Sequence, residues 1–272
     1  LLIIACIKQV PDTTQVKIDP DTGTLIREGV PSIINPFDAH ALEEALRLKE
    51  KYGFKVVALS MGPPGAAMTL RKALAVGADD VVLLSDRAFG GADTLATSMV
   101  LTSAIRMLAK EDELAMVICG KQTIDGDTAQ VGPGIATRLK CAQLTSVDRV
   151  ESIDIENKRI RVRCKFEDRY EVLDSRLPAM VAVLREINRP RYPTVPMRLM
   201  AHDADIKVWD NSVLKLSEDV IGLKGSATSV RRIFSPDRPP GQILGGESVT
   251  DPEEAARMLL EKLVSRNVIS TQ

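Results

Sequence analysis

The 272-residue sequence is poor in histidine, in aromatics and in patterned cysteine. With two His, His40 and His202, a His-dependent hydrolase has almost nothing to work with. Four Cys, at 6, 119, 141 and 164, show no C-x-x-C spacing, so no Cys/His metal site is expected. Cys6 and Cys119 sit in apolar runs, where free Cys acts as a small hydrophobe, and this points to a reducing, cytoplasmic setting. Five Phe, three Tyr and one Trp are too few for the stacking platforms of single-strand nucleic-acid or sugar binders. Lys plus Arg number 36 against 37 Asp plus Glu, and a net charge of −1 sets up no field for a polyanion, so nucleic acid is not an expected partner. The N-terminal apolar run LLIIACI is far shorter than the roughly 20 residues of a membrane helix, and membrane insertion is not expected. No G-x-G-x-x-G follows a strand-like run, and no G-x-x-x-x-G-K-[ST], H-E-x-x-H or G-x-S-x-G occurs.

What is present is an ordinary globular composition, 44% hydrophobic and 27% charged. The first half alternates short apolar runs with helical stretches, the arithmetic of parallel strands joined by crossover helices. LIIACI (2–7), KVVALSM (55–61), DVVLL (80–84) and AMVICG (115–120) are the strands, and their lack of polar alternation fits strands covered on both faces. Helices are expected over 38–52, stopped by Gly53, over 66–76, stopped by Gly77, and from an Asp93 N-cap to about 109. Beyond residue 145, RIRVRCKF (159–166) and YEVLD (170–174) alternate as antiparallel strands do, and PAMVAVL (178–184) reads as one more buried strand. From 185 onward the chain is Pro-rich and irregular, like an arm, until Asp251 opens a helix to about Arg266 with Met258, Leu259 and Leu263 on its apolar stripe.

GKQTIDGDTAQVGPG (120–134) is the richest segment. It lies between a strand end and a helix start, where open parallel sheets bind ligands. Glycines allow close approach, and free N–H groups over 128–131 with the helix dipole favour a phosphate. The same residues also read as a capping box, Asp127 with Gln130, and Asp125 and Asp127 would repel phosphate unless turned away. Lys8, Met61–Pro64 and DRAFGGADTLATS (86–98) end the other strands on the same edge. Asp93, Thr94 and Thr97 there read either as a polyol-binding set or as a plain N-cap with solvated hydroxyls. NPFD (35–38) closes the edge and is also an ordinary helix-start turn.

IKQVPDT (7–13), GVPSIINPFDAHALEEALRLKE (29–50), MGPP (61–64), the 86–98 and 120–133 loops, LPAMVAV (177–183), NRPRYPTVP (188–196) and IGLKGSAT (221–228) together closely resemble the beta subunit of electron-transfer flavoproteins. The resemblance implies a Rossmann-like three-layer α/β sandwich with a mainly parallel sheet, an antiparallel extension and a C-terminal arm. It implies a cytoplasmic heterodimer with an alpha subunit that the arm clasps. It divides the chain into an α/β nucleotide-binding domain, 1–184, and a docking loop with arm, 185–272. The cofactor positions it implies are Cys6, Lys8, Asn35, Asp38, Met61, Gly62, Asp93, Thr94, Thr97, Gly120, Gln122, Thr123, Ile124, Asp125, Gly126, Asp127, Thr128, Ala129, Gln130 and Val131.

Ordinary members hold AMP there, and electron-bifurcating members a second FAD. The VPDT turn, the 86–98 loop and the small side chains at Gly126, Thr128 and Ala129 resemble the bifurcating group. For that group the resemblance implies hydride acceptance from NADH, with electrons passed to ferredoxin and, through the alpha-subunit FAD, to a flavin dehydrogenase of acyl-CoA or 2-hydroxy-acid type. The alternative is a carrier with structural AMP fed by acyl-CoA dehydrogenases. RYPTVPMR (191–198) matches the docking loop, with Tyr192, Val195 and Pro196 as contacts. Val195 stands where Leu is common, one methylene shorter and so about 0.8 kcal/mol poorer in burial. Arg169 stands where the family has a turn glycine, which leaves the geometry of that hairpin open.

Overall fold

Apolar runs without polar alternation have no face to give to water. In the computed structural model, which describes residues 1–12, 17–18, 25–26, 31–230, 241 and 251–269, they form the middle of one sheet. In chain order come β1 (Leu2–Cys6), β2 (Gln9–Pro11), β3 (Lys17–Ile18), β4 (Leu25–Ile26), β5 (Ser32–Ile34), α1 (Pro36–Tyr52), β6 (Lys55–Met61), α2 (Ala67–Val76), β7 (Asp80–Leu84), α3 (Thr94–Leu108), β8 (Leu114–Gly120) and α4 (Val131–Leu139). There follow β9 (Ala142–Asp154), β10 (Arg159–Lys165), β11 (Tyr170–Arg176), β12 (Ala179–Val183), α5 (Val195–His202), β13 (Lys207–Trp209), α6 (Asn211–Leu214) and α7 (Pro252–Ser265). Gly53 (φ 75°) and Gly77 (φ 120°) end α1 and α2 in the left-handed conformation, as the sequence predicts.

The large sheet has the order β11-β10-β9-β12-β8-β1-β6-β7-β13. From β9 through β13 neighbouring strands are parallel, and β10 is antiparallel to β9 and to β11. Alternate residues of the central strands feed two cores. Ile3, Ala5, Val56 and Val81 pack with α1 and α2, whereas Leu2, Ile4, Val57 and Val82 pack with α3 and α4. The result is the expected three-layer sandwich. From β1 the chain winds to β6 and β7, then α3 carries it back across to β8 on the other side of β1. This reversal of winding opens a crevice at the carboxyl ends of β1 and β8, the place where open α/β sheets bind ligands.

The antiparallel extension carries ion pairs along β10: Arg163 to the buried Asp148 (2.6 Å), Arg159 to Asp174 (2.5 Å) and Lys165 to Glu186 (2.8 Å). The 166–169 turn closes with Arg169 in place of glycine: Phe166 N–H donates to Arg169 C=O (2.9 Å), and the Arg169 guanidinium meets Glu171 (2.7 Å) and lies over the Phe166 ring. Arg169 is not among the residues of positive φ, so the turn makes no demand for glycine.

The chain forms two compact units, Leu1–Arg232 and Ile233–Gln272. In the first, residues after 185 are bound to the sandwich. Arg191 pairs with Glu43 (2.8 Å) and with Glu50, Asn188 donates to His40 C=O (3.0 Å), and β13 adds to the sheet edge beside β7. Of the second unit, α7 begins where the sequence predicts, with the Asp251 carboxylate accepting from Glu253 N–H (3.0 Å), and none of its residues is buried. Thr13 of the VPDT turn and most of 231–250 lie outside the described residues.

Candidate functional site

Two side chains from the start of α1 organise the crevice. Asn35 stands at the N-cap position but does not cap. Its Nδ2 donates to Gln122 C=O (2.9 Å) and its Oδ1 accepts from Ile124 N–H (3.2 Å). Asp38 accepts from Lys8 N–H (2.9 Å), just after β1, and from Gly120 N–H (3.0 Å), at the end of β8. Both residues are buried, Asn35 fully and Asp38 at 5% exposure, so one helical turn fastens the two strand ends that flank the crevice. Burial pushes the Asp38 carboxyl up to about 7, against the pull of its hydrogen bonds with Lys8, Asn35 and Gly120. Burial, with the Asp38 charge added, pushes the Cys6 thiol up to about 12 and raises Cys119 likewise. Neither thiol is a nucleophile near neutral pH.

The 120–131 loop is held in an unusual backbone. Asp127 (φ 52°) and Ala129 (φ 55°) are left-handed without being glycine, a local cost that structures keep mainly where function needs the geometry. The capping box read from Asp127 and Gln130 does not form. Gln130 is itself the N-cap residue of α4 and makes no side-chain cap, while the Asp127 carboxylate accepts from Gln122 Nε2 (2.8 Å). Asp125 is drawn aside by Lys8, whose Nζ lies 2.7 Å away. Burial alone would raise the Asp125 carboxyl, but its hydrogen bonds with Lys8 and Thr123 outweigh burial and hold it below the usual carboxylate range. Both acids that could repel an anion are thus occupied. Among the described residues, the backbone N–H groups of Thr128 to Gly132 have no acceptor, and they lie at the positive end of the α4 dipole. Gln9, one residue beyond Lys8, has a buried amide oxygen with no donor.

The glycines divide by task. A Cβ at Gly120 would stand 2.5 Å from Phe37 Cβ, one at Gly132 2.9 Å from Cys119 Sγ, and one at Gly134 2.7 Å from Ser98 Oγ. These three are small so that protein can pack on protein. Gly126 is the open one, where a Cβ would meet only Thr123 Oγ1, at 3.4 Å.

The 86–93 loop has a different character. The Asp93 carboxylate caps α3 by accepting from Ala96 N–H (3.0 Å) and also accepts from Thr228 N–H (3.0 Å) and Oγ1 (3.1 Å). Burial would raise it, but these donors hold it below its ordinary value. Asp93 N–H donates to Ser226 Oγ (2.8 Å), and Gly222 (φ 55°) packs so closely that a Cβ would fall 2.1 Å from Ala88 C=O. Sequence reading gave no role to Ser226 and Thr228. The Gly222 and Gly225 pair was the signal available, because paired glycines mark a close approach. Thr94 Oγ1 donates to Gln130 Oε1 (2.7 Å), which ties the starts of α3 and α4 together, and Thr97 continues α3 one turn further on. Met61 is half-buried at the end of β6, and Gly62 N–H donates to Leu84 C=O (3.0 Å). Tyr192 is 94% exposed and Val195 72% exposed, and Val195 and Pro196 form the first turn of α5.

The fold is thus an α/β sandwich whose crevice, at the winding reversal, meets an uncapped helix start. The model of the electron transfer flavoprotein domain family matches residues 22–214. The chain is 48% identical over 269 residues to the caffeyl-CoA reductase-Etf complex subunit CarD of Acetobacterium woodii, covering 98% of this chain and 99% of that one. It is 47% identical over 268 residues to the electron transfer flavoprotein subunit beta of Clostridium acetobutylicum, covering 98% and 99%. It is 44% identical over 266 residues to protein FixA of Azotobacter vinelandii, covering 97% and 95%. The chain belongs to the electron transfer flavoprotein family. No helix among the described residues is long and apolar enough to cross a membrane.

Proposed function

We propose that this chain is the beta subunit of an electron-bifurcating electron transfer flavoprotein and holds FAD at the β1–β8 crevice. The observation that carries the reading is the unpartnered row of N–H groups over 128–132 at the start of α4, with both neighbouring carboxylates turned to other partners. A pyrophosphate supplies the acceptors that this row lacks. Gly126 leaves room beside it. These features support a ligand that carries a diphosphate at the loop. When bound, the flavin supplies hydride acceptance from NADH and onward transfer of single electrons.

The chain's own part is positional. Asn35 and Asp38 fix the loop, Cys6 and Met61 give apolar floor, and Thr94 and Thr97 offer hydroxyls at the start of α3. The exposed Tyr192, Val195 and Pro196 are read as the docking surface for a flavin dehydrogenase, and α7 as the element that clasps an alpha subunit. Ferredoxin is the low-potential acceptor in this reading, and the site of action is the cytoplasm.

One observation favours the second reading, a carrier with structural AMP fed by acyl-CoA dehydrogenases. The Asp93 carboxylate, which the FAD reading needs for the polyol chain of the flavin, is already engaged by Ala96 and Thr228. Cofactor extraction from the chain co-expressed with an alpha subunit separates the two. Two FAD per pair, with rapid bleaching by NADH, is expected; one FAD with one AMP, and a pair that NADH leaves oxidised, overturns the bifurcating reading.

A further inference from the structure

A second cavity shares no residue with the crevice. It lies between α1, α2 and the 190–202 segment and has a volume of about 770 Å³. That is within the range of sites for small organic ligands. Leu42 and Leu46 of α1, Met68 and Val76 of α2, and Pro190 and Pro193 give it a mostly apolar wall.

Its charged groups without a partner are of one sign. The one acid in the wall, Glu43, is committed to Arg47 (3.1 Å) and Arg191 (2.8 Å). Among the described residues Arg71, Lys72 and Arg198, which also line it, have no acidic partner. A neutral hydrocarbon would leave these three cations without a counter-charge, and a nucleotide would leave its many polar edges against an apolar wall. An apolar chain with one anionic head meets both requirements.

We propose that this cavity binds an amphiphilic monocarboxylate of the fatty-acid class, its chain between α1 and α2 and its carboxylate on Arg71, Lys72 and Arg198. Charge-assisted hydrogen bonds from guanidinium to carboxylate are the strong element, and burial of the chain supplies the remainder.

Calorimetric titration of the full chain with laurate, dodecanol and inorganic phosphate tests this. One laurate per chain is expected, with dodecanol at least about tenfold weaker and no phosphate uptake. The double variant Lys72→Glu/Arg198→Glu, both exposed positions, should weaken laurate at least about tenfold and leave dodecanol unchanged. Arg71→Met keeps the apolar stem and should act in the same direction, and circular dichroism of each variant reports that the fold is intact. Absence of saturable laurate binding, equal binding of acid and alcohol, or indifference to both variants overturns the proposal.

Discussion

Two loops at one sheet edge share a sequence signature, glycine followed by a helix start, and end in opposite states. After β7, the acceptors are spent within the protein: Asp86 takes Ala88 and Asn211 N–H groups, and Asp93 takes Ala96 and Thr228. After β8, the acids are pulled to Lys8 and Gln122, and the α4 start remains uncapped. A helix start keeps its N–H groups free when its own cap is withheld, and glycine alone does not decide it.

The contrast extends to pH, where the largest effect is expected. Asp38, raised in the folded state to about 7, gives a contribution that is fully present below the ordinary carboxylate pKa and lost as pH rises through about 7. Relative to Asp38→Asn, the native chain should lose on the order of 4 kcal/mol between pH 4 and 7, read from urea unfolding at a series of pH values. Asp93 is lowered, so its contribution is present at neutral pH and lost as pH falls through its lowered pKa. Parallel profiles for Asp38→Asn and the native chain would break the comparison at its strongest point.

Next comes Gly120→Ala. Its Cβ at 2.5 Å from Phe37 Cβ should cost about 3 kcal/mol of stability by denaturant unfolding, and a tolerated alanine would mean that α1 is not fastened to β8 as described. Thr128→Trp should lower nucleotide affinity roughly 100-fold with little change in Tm, measured by nucleotide content after gel filtration. Asp93→Ala should do the reverse, losing about 1 kcal/mol of stability with the cap while nucleotide content holds. If Asp93→Ala empties the site as Thr128→Trp does, the two loops are one functional unit after all. The smallest effect is a gain: Ala129→Gly relieves a left-handed alanine and should stabilise the chain by roughly 0.5 kcal/mol.

The central sheet was legible because its strands are uniformly apolar. KVVALSM and DVVLL coincide with β6 and β7, and LIIACI and AMVICG differ from β1 and β8 by one residue. β9 was not, for a physical reason. It pairs in parallel with β12 and antiparallel with β10, and Ser146 at φ 55° breaks the period-2 alternation that would have revealed it. β13 is three residues long, too short to leave a pattern. At the crevice the loop itself was visible in its glycines. The withheld cap was not, because Asp127-x-x-Gln130 spells a capping box and only the left-handed backbone at 127 and 129 denies it. Nor does any local spacing say that Asp93 would be taken by Thr228, 135 residues on.

Asn35 has a wider meaning. Giving a hydrogen to residue 122 and taking one from residue 124 is what a peptide group does in a β-ladder, so this carboxamide serves as a single rung of strand grafted onto a helix. Asp lacks the donor, Ser lacks the reach, and Gln sets the amide one carbon too far. A position that must impersonate backbone admits one amino acid.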